Sequence, residues 1–213
     1  MSGQAIEFEF RLDEGEFAAL TQKLHELSGN KARTYIARAL NKTAVSARVK
    51  LVNRARARYT VKSKGFKQEM KIRKAHAGNT VALLESQGAP LSIKEFKYSF
   101  SRPNPVNVAV VNTGLKPLVK YGNKAFVGKG NLNGHIYVRT GKAAKRYKGI
   151  AVEDYAKRTG KKVPKNREGL EKIFSKSVPY MLGNDGYVWV PSEPEIKSDL
   201  KKFMQQQIKQ LVG

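Results

Sequence analysis

The chain has 213 residues, no cysteine, and 41 lysines and arginines against 17 acidic residues, so its formal net charge is +24. This length accommodates one domain with an extension or two small domains. The lack of cysteine excludes disulfides, cysteine nucleophiles and thiolate metal sites. The charge excess does not select a fold, but it favours polyanionic partners such as nucleic acid or acidic protein surfaces.

The first elements are predicted from two kinds of apolar spacing. Apolar residues alternate with charged ones from Ile6 to Leu12, which predicts a half-buried strand. Apolar residues then recur at helical spacing from Phe17 to Leu27, and residues 28–30 are expected to end that helix. This N-terminus lacks a long apolar core, so a secretory signal is not expected.

The stretch from Lys31 to Arg58 contains neither glycine nor proline and predicts one long helix. Steps of three and four residues keep one apolar stripe on the same side of this helix, formed by Ile36, Leu40, Ala44, Ala47, Leu51 and Ala55. A second apolar row, Val45, Val49 and Val52, lies opposite. A helix that is apolar on two sides is usually packed between two partners. One partner is expected to be the body of the domain. What the second apolar row and the basic flank contact would then bear on the function.

The basic residues concentrate in and just after this helix. Between Lys31 and Lys74 there are 15 basic residues and one acid, Glu69. The segment that follows the helix carries Phe66 and Met70 at helical spacing, and it predicts a short second helix.

The middle of the chain changes to a period of two, which predicts strands. Val81–Leu84 is one predicted strand. Phe96–Phe100 and Val106–Val110 are predicted to form an antiparallel hairpin around a proline-rich turn. Residues 125–127 and 136–138 flank a glycine-rich loop and predict a second hairpin.

The last third begins with residues 142–168, a basic and mostly polar block that is predicted to be an insertion with one short helix at Val152–Arg158. Tyr187–Val190 is predicted to be a last short strand. Ser192 and Glu195 have the spacing of a helix capping box. Apolar residues from Ile196 to Leu211 then predict an amphipathic C-terminal helix.

Together these elements predict one α+β domain that spans residues 1–213. A mixed, mainly antiparallel sheet is expected to pack against the long basic helix, with the C-terminal helix alongside.

Few residues offer catalytic chemistry. The three histidines, His25, His76 and His135, are far apart and lack acidic neighbours at ligand spacing, so no metal site is predicted. The segment Gly122–Gly130 has five residues between its first two glycines where a phosphate loop has four, and Gly130 replaces the metal-binding Ser or Thr. We therefore predict no catalytic residue and no cofactor. No zinc-finger, RNP or GXXG pattern indicates base recognition.

The order of these features is specific. The segment ARALNKTAVSARVKLVNRARAR is followed by YTVKSKGFKQEMKIRKA, and the strands PLSIKEFKYSF and NPVNVAVVNTG come next. AFVGKG, HIYVRTGK and EKIFSKSVPYMLG lead to the tail helix. This order resembles the minor tail protein Z family of long-tailed bacteriophages and prophages, the lambda-like tail-completion proteins. The resemblance covers nearly the whole chain and is most specific over Ala37–Ala75 and Glu171–Gly183.

The resemblance implies a non-enzymatic structural protein of the virion, at the head-proximal end of the tail, which is in the host cytoplasm during assembly. Such proteins complete the tail and support head–tail joining and DNA-end placement. The family also implies a ring, commonly a hexamer, in which each subunit makes a heterologous contact with its neighbour. The implied partners are tail terminator, tail tube or head–tail connector proteins, with phage DNA in the tail lumen as a further candidate. No membrane contact is expected, because no run in the sequence approaches the ~18 apolar residues that a membrane helix needs.

Seven basic residues of the long helix are the candidate contacts with DNA or with an acidic partner: Arg38, Lys42, Arg48, Lys50, Arg54, Arg56 and Arg58. The alternative function is therefore sequence-independent nucleic-acid binding, because phosphate contacts carry no base information. Arg54 lies in line with Ile36 on the helix, so pairing within the fold is an alternative for Arg54. Arg56 is the cleaner test of a DNA contact.

Overall fold

The computed structural model describes residues 4–11, 30–61, 66, 69–101, 104–143, 151–161 and 168–212. The chain divides into two compact units. Unit 1 comprises Met1–Arg58, Ser63–Ala89 and Lys176–Gly213, and unit 2 comprises Tyr59–Lys62 and Pro90–Ser175. The prediction of a single domain stays a prediction. Both units combine helical segments with antiparallel strands, so the predicted α+β class is confirmed.

Unit 1 is built on helix α1 (Asn30–Arg58), whose 29 residues extend over about 43 Å. Five residues of the predicted apolar stripe are fully buried: Leu40, Ala44, Ala47, Leu51 and Ala55. Because alanine side chains are small, neighbouring backbones approach α1 closely along this stripe. The stripe packs against the C-terminal helix and against a three-stranded sheet, as the sequence predicts.

That sheet has the order β1–β3–β2, with both pairs antiparallel. Its strands are β1 (Gln4–Phe10), β2 (Met70–Arg73) and β3 (Ala82–Gly88). The predicted strands near Ile6 and Val81 are confirmed. Phe8 is buried and stacks on Trp189 with 4.5 Å between ring centroids. The helix predicted over Phe17–Leu27 lies outside the described residues.

The predicted short helix through Met70 is wrong at its C-terminal end, because Met70–Arg73 form β2. Met70 pairs with Ser86 and Ile72 pairs with Leu84. Apolar residues two apart fit a strand, and a strand here satisfies its backbone hydrogen bonds from β3. Met70 is buried in this pairing.

The C-terminal part of unit 1 is mostly helical. Helix α3 (Val178–Leu182) and a π-helical turn (Asp185–Trp189) precede α4 (Val190–Val212). The strand predicted at 187–190 is therefore wrong. The predicted capping box is also wrong, because Ser192 lies inside α4 and donates to the carbonyl oxygen of Val188 at 2.6 Å.

Residues 187–190 contact the rest of unit 1 from helical turns, and the amphipathic helix predicted after them is present. Val188 is fully buried and the half-buried Trp189 stacks on Phe8, so the helical turn places both side chains against the rest of unit 1. The predicted amphipathic helix is confirmed over α4, in which four residues spaced by four are buried: Ile196, Leu200, Met204 and Ile208.

Unit 2 consists of small antiparallel sheets. The first contains β4 (Lys97–Ser99), β5 (Asn107–Ala109) and β6 (Lys116–Pro117). The second contains β7 (Val119–Lys120) and β8 (Asn123–Lys124). The third contains β9 (Phe126–Val127), β10 (Ile136–Ala143) and β11 (Glu168–Lys172).

Both predicted hairpins are confirmed, since β4 pairs with β5 and β9 pairs with β10. Helix α2 (Val152–Thr159) confirms the short helix predicted inside the basic block. It ends at Gly160, whose φ of 66° is easily adopted by glycine. The segment Gly122–Gly130 contains β8 and β9, so it lacks the helix that a phosphate loop requires.

Candidate functional site

The predicted basic residues of α1 have different surroundings. Two of them, Lys50 and Arg54, contact α4. Lys50 Nζ lies 2.8 Å from Asp199 Oδ2 and donates to the backbone carbonyl of Glu195 at 3.1 Å. Arg54 forms an ion pair with the Glu195 carboxylate. Lys50 and Arg54 therefore hold two helices of unit 1 together. The alternative that Arg54 pairs within the fold is confirmed.

Asp199 is the centre of this contact. Burial raises the pKa of its carboxyl, but hydrogen bonds from Lys50 and Ser46 outweigh burial and keep that pKa below its ordinary value. The Ser46 hydroxyl donates to the same Oδ2 that faces Lys50. Asp199 is therefore a charged carboxylate at neutral pH, and it stabilises the ammonium group of Lys50.

Arg58 is also occupied within unit 1. Its guanidinium carbon lies 3.8 Å from the centroid of the Tyr187 ring, which is the geometry of a cation–π contact. Its Nε is buried and has no hydrogen-bond partner in the part of the chain that the structure describes. One face of the Arg58 guanidinium thus packs on the Tyr187 ring.

Four of the seven residues are left without an acidic partner among the described residues: Arg38, Lys42, Arg48 and Arg56. Arg38, Lys42 and Arg56 are exposed, and Arg48 is half-buried. Arg38 lies 5.0 Å from the ring of Tyr35 one turn earlier on the same helix. Among the described residues, these four cations are the part of the predicted site that no carboxylate binds.

The second apolar row lies among these cations. Val52 is buried, whereas Val45 and Val49 are 45% and 46% exposed. We call Arg38, Lys42, Val45, Arg48, Val49 and Arg56 the outer face of α1. Guanidinium and ammonium groups can bind carboxylates or phosphates, whereas covering the valines lowers the free energy most when apolar groups cover them. The outer face therefore combines an apolar centre with a basic surround.

Unit 2 contains a polar cluster that the sequence did not predict, because its members are far apart in the chain. Ser92 Oγ lies 3.4 Å from His135 Nδ1, and Lys172 Nζ lies 3.3 Å from His135 Nε2. An ammonium group can only donate, so Nε2 accepts and Nδ1 carries the proton. His135 in this tautomer donates to Ser92 and cannot act as the base that would activate the serine hydroxyl.

The surroundings of His135 oppose its protonation. Burial is the main cause, and the nearby ammonium groups of Lys172 and Lys94 add to it, so the pKa of His135 lies below its ordinary value. Across the described ranges, no group of three or more metal-ligating side chains is arranged to hold a metal ion.

One open groove lies in unit 1, with a volume of about 590 Å³. The start of β1, α3 and the turn after α3 line this groove, and the described side chains of its lining are polar or apolar but uncharged.

Comparison with known proteins adds no relative. No family model matches the chain, and no significant match was found among curated proteins or solved structures. Within the described residues, none of the helices has the length and apolar character that a bilayer crossing requires.

Proposed function

We propose that this chain is a non-enzymatic structural protein of a phage virion. It completes the tail at the head-proximal end and supports head–tail joining and DNA-end placement. The resemblance in sequence to the minor tail protein Z family leads to this proposal. The outer face of α1 is the structural observation that supports it, because exposed valines among cations that have no acidic partner in the described residues are typical of a surface that contacts another macromolecule.

The assembly proposed for this protein is a ring, hexameric by family analogy, in which each subunit contacts the next through two different surfaces. Its proposed partners are tail terminator, tail tube or head–tail connector proteins, and phage DNA in the tail lumen. It is proposed to be in the host cytoplasm during assembly and in the virion afterwards.

Purified particles provide the test of this function. Quantitative immunoblotting should find a few copies of the protein in each virion, and averaged electron micrographs should place it at the head-proximal end of the tail. Absence from particles, together with retention on cellular DNA, would contradict the proposal. A protein that is a monomer both when free and in the particle would contradict the ring.

Sequence-independent binding of nucleic acid is a second candidate function. It is favoured by the four cations of α1 that have no acidic partner in the described chain. Phosphate contacts make affinity fall with salt, with a log–log slope of about −0.9 for each neutralised phosphate of duplex DNA. If Arg56 contacts one phosphate, Arg56→Gln should flatten this slope by about one unit.

Arg54→Gln is the matched control for the DNA experiment. It removes the same charge from the same helix, but from a side chain that pairs with Glu195. Arg54→Gln should therefore change the slope less than Arg56→Gln does. An Arg56→Gln titration that superimposes on that of the parent would exclude a DNA contact at this residue.

A further inference from the structure

The outer face of α1 has the spacing of a helix-packing seam. Four of its residues, together with Lys31 and the half-buried Tyr35 before them, follow one another by alternating steps of four and three: Lys31, Tyr35, Arg38, Lys42, Val45 and Val49. The next position on the line, Val52, is buried in the fold, and the exposed Arg56 follows it four residues later. Alternating steps of three and four are the spacing with which one helix packs along another. From Lys31 to Arg56 this seam is about 38 Å long.

The chemistry of the seam changes along its length. Val45 and Val49 lie in its middle, and cations lie toward both ends. Helix α1 contains no acidic residue that could neutralise these cations from within the helix. An apolar centre with charged surroundings is how protein–protein interfaces are arranged.

We propose that the outer face of α1 is the docking site of an acidic amphipathic helix from a protein partner. Apolar side chains of that helix would cover Val45 and Val49. Its carboxylates would meet the cations toward the two ends, such as Arg38 and Arg56. The inference rests on the proposed function only in that the partner would be a neighbouring virion protein.

Two other occupants fit this surface less well. A second copy of α1 would place cations against cations, which costs free energy in an interface. Duplex DNA would neutralise the cations, but the charged phosphates that the cations bind are a poor cover for Val45 and Val49. An acidic helix satisfies both parts of the seam.

The test uses the full-length protein and two labelled synthetic helical peptides of the same composition. The matched peptide carries leucines at its two central seam positions and glutamates at the outer ones. The control peptide has these leucines and glutamates exchanged. Fluorescence anisotropy should show tighter binding of the matched peptide, by about tenfold, because only that peptide covers Val45 and Val49 with apolar groups.

Variants of the protein then test the contact directly. Val45→Ser with Val49→Ser should weaken binding of the matched peptide by about tenfold, since about half of each valine remains to be buried. The double variant Val45→Thr with Val49→Thr, which keeps the branched shape of valine, should weaken binding in the same direction. Val190→Ser, a change at a valine of α4 that is 54% exposed, is the control and should leave binding unchanged.

Equal affinity for the two peptides would overturn the proposal, because it would show attraction between charges alone. Serine and threonine variants that bind the matched peptide as tightly as the parent would also overturn it. These outcomes differ from failure of the proposed function, which is detected as absence from virions and leaves the peptide measurements unchanged.

Discussion

Replacing Asp199 with Asn should lower the free energy of unfolding of unit 1 by about 1–2 kcal/mol. The Asp199 and Lys50 side chains are 21% and 26% exposed, so their ion pair lies between the exposed and the buried class. Exposed pairs contribute about 0–1 kcal/mol, and breaking a buried pair costs about 3–5 kcal/mol. Asn can still accept from Ser46, and Lys50 keeps its bond to the Glu195 carbonyl, so the lower part of this range is expected.

The effect should also depend on pH in a defined direction. The pKa of Asp199 is lowered in the folded chain from its ordinary value of 3.8. The native state therefore binds this proton less readily than the unfolded state does. The stabilisation that the charged Asp199 gives to the folded state is complete above the pKa of this carboxyl in the unfolded chain. It is lost as the pH falls through the pKa in the folded chain. The difference between the parent and Asp199→Asn should thus be largest near neutral pH and decrease below about pH 4.

Urea unfolding at several pH values measures this effect, and the single tryptophan, Trp189, reports on unit 1 by fluorescence. Glu193→Gln is the control on the same helix. Its pair with Lys197 is 3.5 Å long, with side chains 42% and 54% exposed, so it should cost less than about 0.5 kcal/mol. Equal stability of Asp199→Asn and the parent at neutral pH would refute the reasoning, as would a loss that does not change with pH.

Two further predictions concern unit 2. Gly128→Ala should lower thermal stability by about 1–3 kcal/mol, because the added Cβ would lie 2.4 Å from the Cβ of Leu132. Gly186→Ala meets no atom within 4 Å, so it is the control, and equal losses for both variants would contradict this explanation. By NMR titration, the pKa of His135 should lie below 6.5 and rise in Lys172→Met, but not fully, because burial is the larger cause. A parent pKa at or above 6.5 would contradict this prediction.

Local spacing was enough to predict several elements of this chain. The stripe from Leu40 to Ala55 identifies α1 and its buried side, because a helix returns to the same side every 3.6 residues. The alternation around Phe8 identifies β1 for the same kind of reason, since a strand alternates its sides at every residue. The basic character of α1 is likewise a property of its sequence.

Tertiary contacts decided what spacing leaves open. Met70–Arg73 form a strand because β3 supplies their backbone partners. Residues 187–190 form helical turns in which Val188 is buried and Trp189 stacks on Phe8. The sequence alone does not separate the bound cations of α1 from the unpaired ones. Arg54 meets Glu195, which is 141 residues away in the chain, whereas Arg56 is exposed. Two residues apart on a helix are about 200° apart around its axis, so only the packing of α4 against one side determines which cation is bound and which remains accessible.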